Sequence, residues 1–185
     1  KSEVYIPDRL KEGYGPNKNA INTFYDKGIK TFITVDCGAT AIDVMDFADQ
    51  KGMKAIIIDH HKVDKPLPKC IAHINPSREE DSSLLNDLAA VGLTFVFIVG
   101  LRRAIRDLSL FPDINEPSLK QYLDLVALGT VCDVVQLKGL NRAFVKEGID
   151  VISQRKRPGI EGLRSISGTS DIGVTELGFR IGPRI

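Results

Sequence analysis

The sequence predicts an α/β fold: a parallel-sheet lobe with flanking helices, followed by a helical C-terminal portion. Two apolar runs, at 31–35 and 54–58, have the length and β-branched content of buried strands. The segments before them, 18–27 and 39–50, have helical patterns that end at glycines. Strands that alternate with helices form right-handed βαβ units, so we expect the two strands to be parallel and buried.

The remaining elements follow from the same reasoning. Asn17 is expected to cap the first helix. Further strands are predicted at 3–7 and 70–74, the second closed by Asn75-Pro76, and further helices at 88–108, 118–128 with Ser118 as its cap, 141–154, 160–165 and 175–179. Since strands give way to helices alone near residue 77, we expect a βαβ sheet core at 1–76 and a mainly helical part at 77–185.

The composition fits a compact protein and excludes several classes. With 185 residues, 43% of them hydrophobic, the chain can bury one good core. Lys+Arg at 25 nearly balance Asp+Glu at 24, so no overall basic excess indicates a stand-alone nucleic-acid binder. No apolar run reaches the roughly 18 to 20 residues of a membrane span and no signal peptide is visible, so we expect a cytoplasmic protein without a membrane partner.

The cysteines do not indicate a disulfide framework or a zinc site. Cys37, Cys70 and Cys132 are widely spaced, odd in number and without a Cys-x-x-Cys pair. Cys37 and Cys132 each adjoin an aspartate that is a candidate metal ligand, which would also suit a thiolate ligand. We favour small buried residues at both positions, because the other candidate ligands offer oxygen and nitrogen.

Side chains typical of metal ligands follow both apolar runs. Asp36 comes directly after the first run, and Asp59-His60-His61 comes directly after the second. The carboxyl ends of parallel strands meet at one edge of a sheet, so these side chains should lie close together. Taken alone, Asp59 could cap a turn beside two polar loop histidines. Together with Asp36, the tripeptide favours a site for a divalent cation.

Asp133 is a third candidate ligand. It interrupts the apolar stretch 127–135, where an unpaired carboxylate would be costly to bury. A cation, a helix N-terminus or a buried hydrogen-bond donor would satisfy it equally well. Together with Asp36 and Asp59-His60-His61, a metal ligand is the favoured interpretation, delivered to the sheet by the helical part.

These motifs resemble those of the DHH phosphoesterase superfamily and, within it, the RecJ-type single-stranded-DNA-specific exonucleases. The order of the motifs matches the family across nearly the whole chain. They are Ile6-Pro7-Asp8-Arg9 with Glu12-Gly13-Tyr14-Gly15, Val35-Asp36-Cys37-Gly38, Ile58-Asp59-His60-His61, the stretch 128–135, Asn141-Arg142 and the stretch 179–185.

Two departures from the family pattern are informative. The family has an upstream Asp-x-Asp-Gly motif, and it continues downstream into a DHH-associated domain and an oligonucleotide-binding fold, none of which this sequence contains. The resemblance therefore implies an interior piece of the catalytic DHH domain, inactive alone because most first-metal ligands are missing. Leu140 also replaces a commoner glutamate before Asn141-Arg142, which weakens any role for that position.

The resemblance implies two-metal hydrolysis with Mn²⁺ or Mg²⁺. Asp36 would bridge the two metals, and His60 and Asp133 would complete the second one. Asp59 would orient an imidazole or a metal-bound water. His61 would face the scissile phosphate as a charge stabiliser or proton donor.

A nucleic-acid contact is expected at Arg9, Tyr14 and Gly15, and at Arg184 near the other end. An arginine suits a terminal phosphate, a tyrosine can stack on a base, and a glycine lets the backbone approach the strand. The alternatives are a surface turn around Arg9 and an Arg184 that only satisfies helix-end carbonyls. The basic cluster 155–157 is expected to be a solvated surface, and His73 to be a core or edge residue.

The implied function is 5′-to-3′ exonucleolytic digestion of single-stranded DNA in recombination and repair. A single-stranded-DNA-binding protein and a helicase are the candidate protein partners. One alternative is a nanoRNase or cyclic-dinucleotide phosphodiesterase of the same superfamily, against which the motifs at 9–15 and 182–185 argue. Another is a catalytically inactive DHH scaffold protein, against which the intact candidate metal and catalytic residues argue.

Overall fold

The computed structural model describes residues 2–185. The chain divides into two compact units, Lys1–Asn86 and Asp87–Ile185. The loop 77–86 therefore belongs with the sheet unit, whereas the sequence places the change of architecture near residue 77.

The first unit is a parallel βαβ sheet. Its strands β1, β2 and β3 are in that order, and both neighbouring pairs are parallel. Its elements are α1 (Lys18–Asp26), β1 (Thr31–Val35), α2 (Ile42–Gln50), β2 (Lys54–Ile58) and β3 (Ala72–Ile74). The predicted bounds of β1 and β2 and the predicted parallel pairing are confirmed.

One face of this sheet forms the core of the unit. Phe32 and Ile57 point into a cluster with Ile21 of α1 and Met45 of α2. Burial in β1 alternates: Phe32 and Thr34 are buried, whereas Ile33 remains 49% exposed. The expectation that β1 is buried on both faces is therefore wrong, since only the face that carries Phe32 and Thr34 is covered.

Two predicted features near the start of the chain differ from the structure. The segment 3–7 forms no strand, because side chains fold it back on itself: the Tyr5 hydroxyl donates to Glu12, and the Asp8 N–H donates to the same carboxylate at 2.7 Å. α2 begins three residues later than predicted, at Ile42. A turn closed by a hydrogen bond of 3.1 Å from the Ala41 N–H to the Gly38 carbonyl precedes it.

The second unit is helical. Ser118 makes no capping hydrogen bond, and the segment after it opens with a 3₁₀ turn, Leu119–Tyr122, rather than with the predicted α-helix. None of the helices within residues 2–185 is both long and apolar enough to cross a bilayer. The helices are α3 (Ala90–Asp107), α4 (Leu123–Cys132), α5 (Gly139–Ile152), α6 (Pro158–Ser167) and α7 (Val174–Glu176), followed by a π turn, Leu177–Ile181, and a 3₁₀ turn, Gly182–Arg184.

α4 and α5 are in close contact at the centre of the second unit. Ala127, Val145 and Ile181 belong to its main hydrophobic cluster. A Cβ atom at Gly148 would lie 2.2 Å from the Leu123 carbonyl oxygen and 2.4 Å from the Ala127 Cβ. Only glycine lets the two helices approach this closely, so α4 is held tightly along its length.

A partly buried ion pair joins α4 to the segment before α6. The Arg157 guanidinium donates to both carboxylate oxygens of Asp124, at 2.5 and 3.0 Å, and the Asp124 side chain is only 6% exposed. The expectation of a fully solvated cluster at 155–157 is wrong for Arg157. A buried carboxylate needs such a partner, and the planar guanidinium supplies two parallel donors.

Candidate metal centre

Asp36 directly follows β1, has a left-handed backbone conformation and exposes its side chain to solvent. Its φ is 61°, a region that aspartate tolerates better than most residues. The Asp36 N–H continues the strand pairing with a 2.9 Å hydrogen bond to the Ile58 carbonyl. The Tyr14 hydroxyl donates to the Asp36 carbonyl oxygen. The main chain of Asp36 is thus fixed at both polar groups, and its side chain remains 53% exposed.

Gly38 makes the sharp turn after Asp36 possible. Its φ is 101°, and a Cβ at this position would lie 2.7 Å from the Thr34 Oγ1 and 3.3 Å from the Met45 Cε. Thr34 is buried on the core face of β1 and cannot move aside freely. Glycine is therefore required here for space as well as for conformation.

Asp59 lies beneath the two histidines and is 1% exposed. Its Oδ2 accepts from the Ala39 N–H at 3.0 Å, and its Oδ1 accepts from the backbone N–H of His60 at 2.8 Å and of His61 at 3.3 Å. Burial acts to raise the pKa of Asp59, but the hydrogen bonds from the His61 ring and these N–H groups outweigh it and lower the pKa. The side chain is therefore an ionised acceptor that links the loops after β1 and β2.

His61 is oriented by that carboxylate. Its Nδ1 lies 2.7 Å from the Asp59 Oδ1. Since ionised Asp59 can only accept, the hydrogen must be on Nδ1, and Nε2 is left to bind a cation or to carry a second proton. A carboxylate that fixes the tautomer of a histidine in this way is common at metal sites and in acid–base catalysis.

Asp36, His60 and His61 form a group with the dimensions of a cation site. Each offers one ligand atom, and these atoms all lie within 4.8 Å of one another. The His60 Nε2 and the Asp36 Oδ1 are 3.3 Å apart. Two ligands each about 2.1 Å from one ion stand roughly 3.0–3.4 Å apart at octahedral or tetrahedral angles. A carboxylate with two imidazoles suits Mn²⁺ and related divalent ions, so the residues fit the metal that the sequence implies.

Asp133 lies in the second unit, at the C-terminal end of α4. Its backbone N–H closes the last helical turn with a 2.9 Å hydrogen bond to the Gly129 carbonyl, and the next residue, Val134, has a φ of 59°. Asp133 is exposed in this structure, so the expectation of a carboxylate inside a buried apolar stretch is wrong. The apolar pattern belongs to the buried body of α4, and the chain reaches the surface where that helix ends.

Tyr14 lies against the group that contains His61. The two rings meet edge to face with centroids 6.2 Å apart, and the Arg9 guanidinium lies 5.6 Å from the centre of the Tyr14 ring. Burial, together with the charges of Asp36 and Asp59, raises the pKa of Tyr14 to about 12. Its hydroxyl therefore stays protonated and remains a hydrogen-bond donor at neutral pH.

The other two residues expected to contact nucleic acid lie in different surroundings. Gly15 has a φ of 87°, and a Cβ there would come within 3.9 Å of the Cys37 Cβ, beside the loop that carries Asp36. Arg184 is exposed in the last 3₁₀ turn, where its guanidinium donates to the Arg180 carbonyl. That hydrogen bond is of the helix-end kind that the sequence left open as an alternative.

The cysteines are all free. Burial raises the pKa of the Cys37 thiol to about 11, and its Sγ lies 3.4 Å from the Val35 carbonyl oxygen. A protonated thiol is a poor ligand, so the oxygen and nitrogen donors remain the better candidates. Cys132 is exposed at the end of α4, so the expectation of a buried residue there is wrong.

Asn75 and Ser77 contact both histidines, and sequence reasoning assigned them no role. The Asn75 side-chain amide donates to the His61 carbonyl at 2.9 Å, and the Ser77 hydroxyl donates to the His60 carbonyl at 2.8 Å. Their position directly after β3, at the edge where Asp36 and His60 also lie, is the only sequence signal that could have identified them.

Comparison with known proteins identifies the family. Residues 1–130 match the profile described as the DHH family, N-terminal domain, and the chain belongs to this family.

Among curated relatives, it is similar to the single-stranded-DNA-specific exonuclease RecJ of Escherichia coli, with 35% identity over 99% of this chain and 33% of the relative. The same enzyme of Bacillus subtilis is 34% identical over 99% of this chain and 22% of the relative. The chain thus spans a third or less of these relatives.

Two solved structures resemble the fold. One, described as exonuclease RecJ bound to manganese, has a TM-score of 0.81 and 31% identity over 98% of this chain and 43% of that one. RecJ in complex with Mn²⁺ from Thermus thermophilus has a TM-score of 0.72 and 30% identity over 91% of this chain and 24% of that one. The parallel α/β fold predicted from the sequence is confirmed by this likeness.

Proposed function

We propose that this chain carries part of the catalytic centre of a metal-dependent exonuclease that digests single-stranded DNA from the 5′ end. The convergence of Asp36, His60 and His61 at one edge of the sheet carries this proposal. Support comes from the similarity to enzymes named single-stranded-DNA-specific exonucleases and to structures that hold manganese.

The metal ligands that we propose are Asp36, His60 and Asp133. Asp36 would be shared by the two ions through its exposed carboxylate, and His60 and Asp133 would hold the second ion. Mn²⁺ or Mg²⁺ bound there would lower the pKa of a coordinated water and neutralise charge on the phosphate under attack. Imidazole ligation favours Mn²⁺ of the two.

Asp59 and His61 are the proposed catalytic residues, and neither role requires that the residue coordinate a metal ion. Asp59 holds the His61 ring through Nδ1, so that Nε2 points away from the carboxylate. From there, His61 stabilises charge on the scissile phosphate or donates a proton to the leaving oxygen. Because the ring is held by a buried ionised group, it needs little reorganisation during the reaction.

The candidate DNA contacts are Arg9, Tyr14, Gly15 and Arg184. Arg9, stacked on Tyr14, is well placed to bind a terminal phosphate, and the exposed part of the Tyr14 ring can stack on a base. Gly15 lets the backbone approach the strand, and Arg184 contributes a further phosphate contact. The enzyme acts in the cytoplasm in recombination and repair, with a single-stranded-DNA-binding protein and a helicase as partners.

The test uses the full-length protein and oligonucleotides labelled at one end. With Mn²⁺, single-stranded DNA carrying a 5′-phosphate should be degraded from that end, and the duplex should persist. Asp36→Ala should abolish the activity. Asp26→Ala, which removes an exposed carboxylate at the end of α1, should leave it unchanged. Equal degradation of duplex, digestion from the 3′ end, or activity in Asp36→Ala would each contradict the proposal.

A further inference from the structure

We infer that Asn75 and Ser77 are positioning residues of the metal centre, which they support by holding the main chain of His60 and His61; this rests on the proposed function. Both lie in the short segment that follows β3. Their side chains donate to the two consecutive carbonyl groups of the histidine pair, at 2.9 Å to His61 and 2.8 Å to His60.

These hydrogen bonds complete a set that fixes the histidine pair from two sides. Asp59 accepts from the N–H groups of His60 and His61, while Asn75 and Ser77 donate to their carbonyls. Every main-chain polar group of the pair therefore has a side-chain partner. Because a side chain leaves the backbone in a direction set by φ and ψ, fixing these four groups fixes the starting direction of both imidazoles.

Asn75 is itself held rigidly enough for this role. It is 3% exposed, and its Oδ1 accepts from the Ser77 N–H at 2.8 Å, closing a turn that places the Ser77 hydroxyl. The turn uses the oxygen of the amide and leaves the NH₂ group for His61. The Asp59 N–H also donates to the Ile74 carbonyl at 3.0 Å, so the ends of β2 and β3 are joined beside the pair.

The same hydrogen bonds would form if Asn75 and Ser77 only stabilised the loop. Metal affinity is therefore the measurement that distinguishes positioning of the metal centre from loop stabilisation. Partners of ligand residues typically change metal affinity or activity by about 10- to 100-fold when removed. Loss of a loop hydrogen bond would lower the melting temperature and leave the affinity of the folded protein for Mn²⁺ unchanged.

The experiment measures Mn²⁺ dissociation constants of the full-length protein by titration calorimetry, with melting temperatures in EDTA and kcat and KM on single-stranded DNA. Asn75→Ala and Ser77→Ala should each weaken Mn²⁺ binding about tenfold or more. They should lower kcat and leave KM for DNA within twofold. Ser77→Thr, which keeps a hydroxyl, should restore Mn²⁺ affinity to within threefold of the native value.

Two matched controls lie in the same unit. Asn19→Ala on α1 and Ser83→Ala in the loop after β3 remove the same groups at exposed positions and should leave Mn²⁺ affinity unchanged. Native-like Mn²⁺ affinity in both folded Asn75→Ala and Ser77→Ala would overturn the inference. If Asn75→Ala fails to fold, Ser77→Ala and Ser77→Thr decide. A native protein that binds Mn²⁺ without digesting DNA would contradict the proposed function and leave this inference standing.

Discussion

Asp59 and His61 are joined by a 2.7 Å hydrogen bond between a buried carboxylate and the ring Nδ1. This contact distinguishes the two histidines of the pair. The His60 ring lies against the Asp36 carboxylate, whereas the His61 ring is bound to the buried Asp59 carboxylate. The difference in their surroundings supports a ligand role for His60 and leaves two roles open to the Nε2 of His61, coordination or catalysis.

The first prediction separates those two roles. His61→Ala should lower the chemical step by roughly 10²- to 10⁴-fold with Mn²⁺ and DNA binding nearly intact, as for loss of a proton donor or charge stabiliser. Asp36→Ala should lose both metal occupancy and turnover. Calorimetric Mn²⁺ titration beside single-turnover digestion of a 5′-phosphorylated oligonucleotide measures both. If His61→Ala loses Mn²⁺ as completely as Asp36→Ala, His61 is a ligand.

The second prediction concerns the turn after Asp36. Gly38→Ala should destabilise the protein by about 3 kcal/mol, because it combines left-handed strain with the 2.7 Å approach to Thr34. Gly28→Ala is the matched control: Gly28 has a φ of 75° and no atom within 4 Å of the added methyl. It should cost about 1 kcal/mol, the strain alone. Urea denaturation in EDTA compares the two, and equal losses would show that Thr34 yields without cost.

The third prediction compares two ion pairs with similar bidentate geometry. Arg157→Met leaves the nearly buried carboxylate of Asp124 without its charged partner and should cost about 3 kcal/mol. Arg106→Met removes the equivalent partner of Glu116, at a site open to water, and should change stability little. Thermal or urea unfolding of both variants measures the two losses of stability. A loss as small for Arg157→Met as for Arg106→Met would mean that water replaces the guanidinium at Asp124.

The fourth prediction concerns pH. Burial, with help from the charge of Arg78, lowers the pKa of His73 below its usual 6.5, against the weaker opposing effects of Asp59 and Glu80. Within residues 2–185 neither ring nitrogen has a hydrogen-bond partner. The folded state therefore binds the proton less readily than the unfolded state, so this contribution to stability is complete above pH 6.5 and is lost as the pH falls.

His73→Leu should accordingly reduce the loss of stability between pH 7.5 and 5.5, as measured by urea denaturation in EDTA. The other two histidines are present in both proteins, so the difference in slope belongs to position 73. The same slope in native protein and variant would show that His73 titrates as it does in the unfolded chain.

The elements set by local pattern were predictable from the sequence. β1 and β2 are short β-branched runs, and Asn17 caps α1 through a 2.8 Å hydrogen bond from the Ala20 N–H. That Asp36 and His60 lie at one edge follows from the parallel arrangement of those strands.

Contacts between distant residues were not predictable. Ser77 reaches back 17 residues to His60, and Arg157 reaches back 33 to Asp124, and neither pairing leaves a periodic trace in the sequence. The exposed position of Asp133 was missed for a related reason: an apolar run does not show where its helix ends. Likewise, the sequence of β1 does not show that one face of this strand stays exposed.

At Gly148, close helix packing should make a position intolerant of substitution even though it has no catalytic role. Any side chain at Gly148 would collide with α4, the helix directly before Asp133. In a library scored by activity alone, position 148 should be as intolerant of substitution as a catalytic residue. A parallel readout of protein abundance would separate the two classes, since Gly148 variants should be depleted from the soluble pool and Asp36 variants should not.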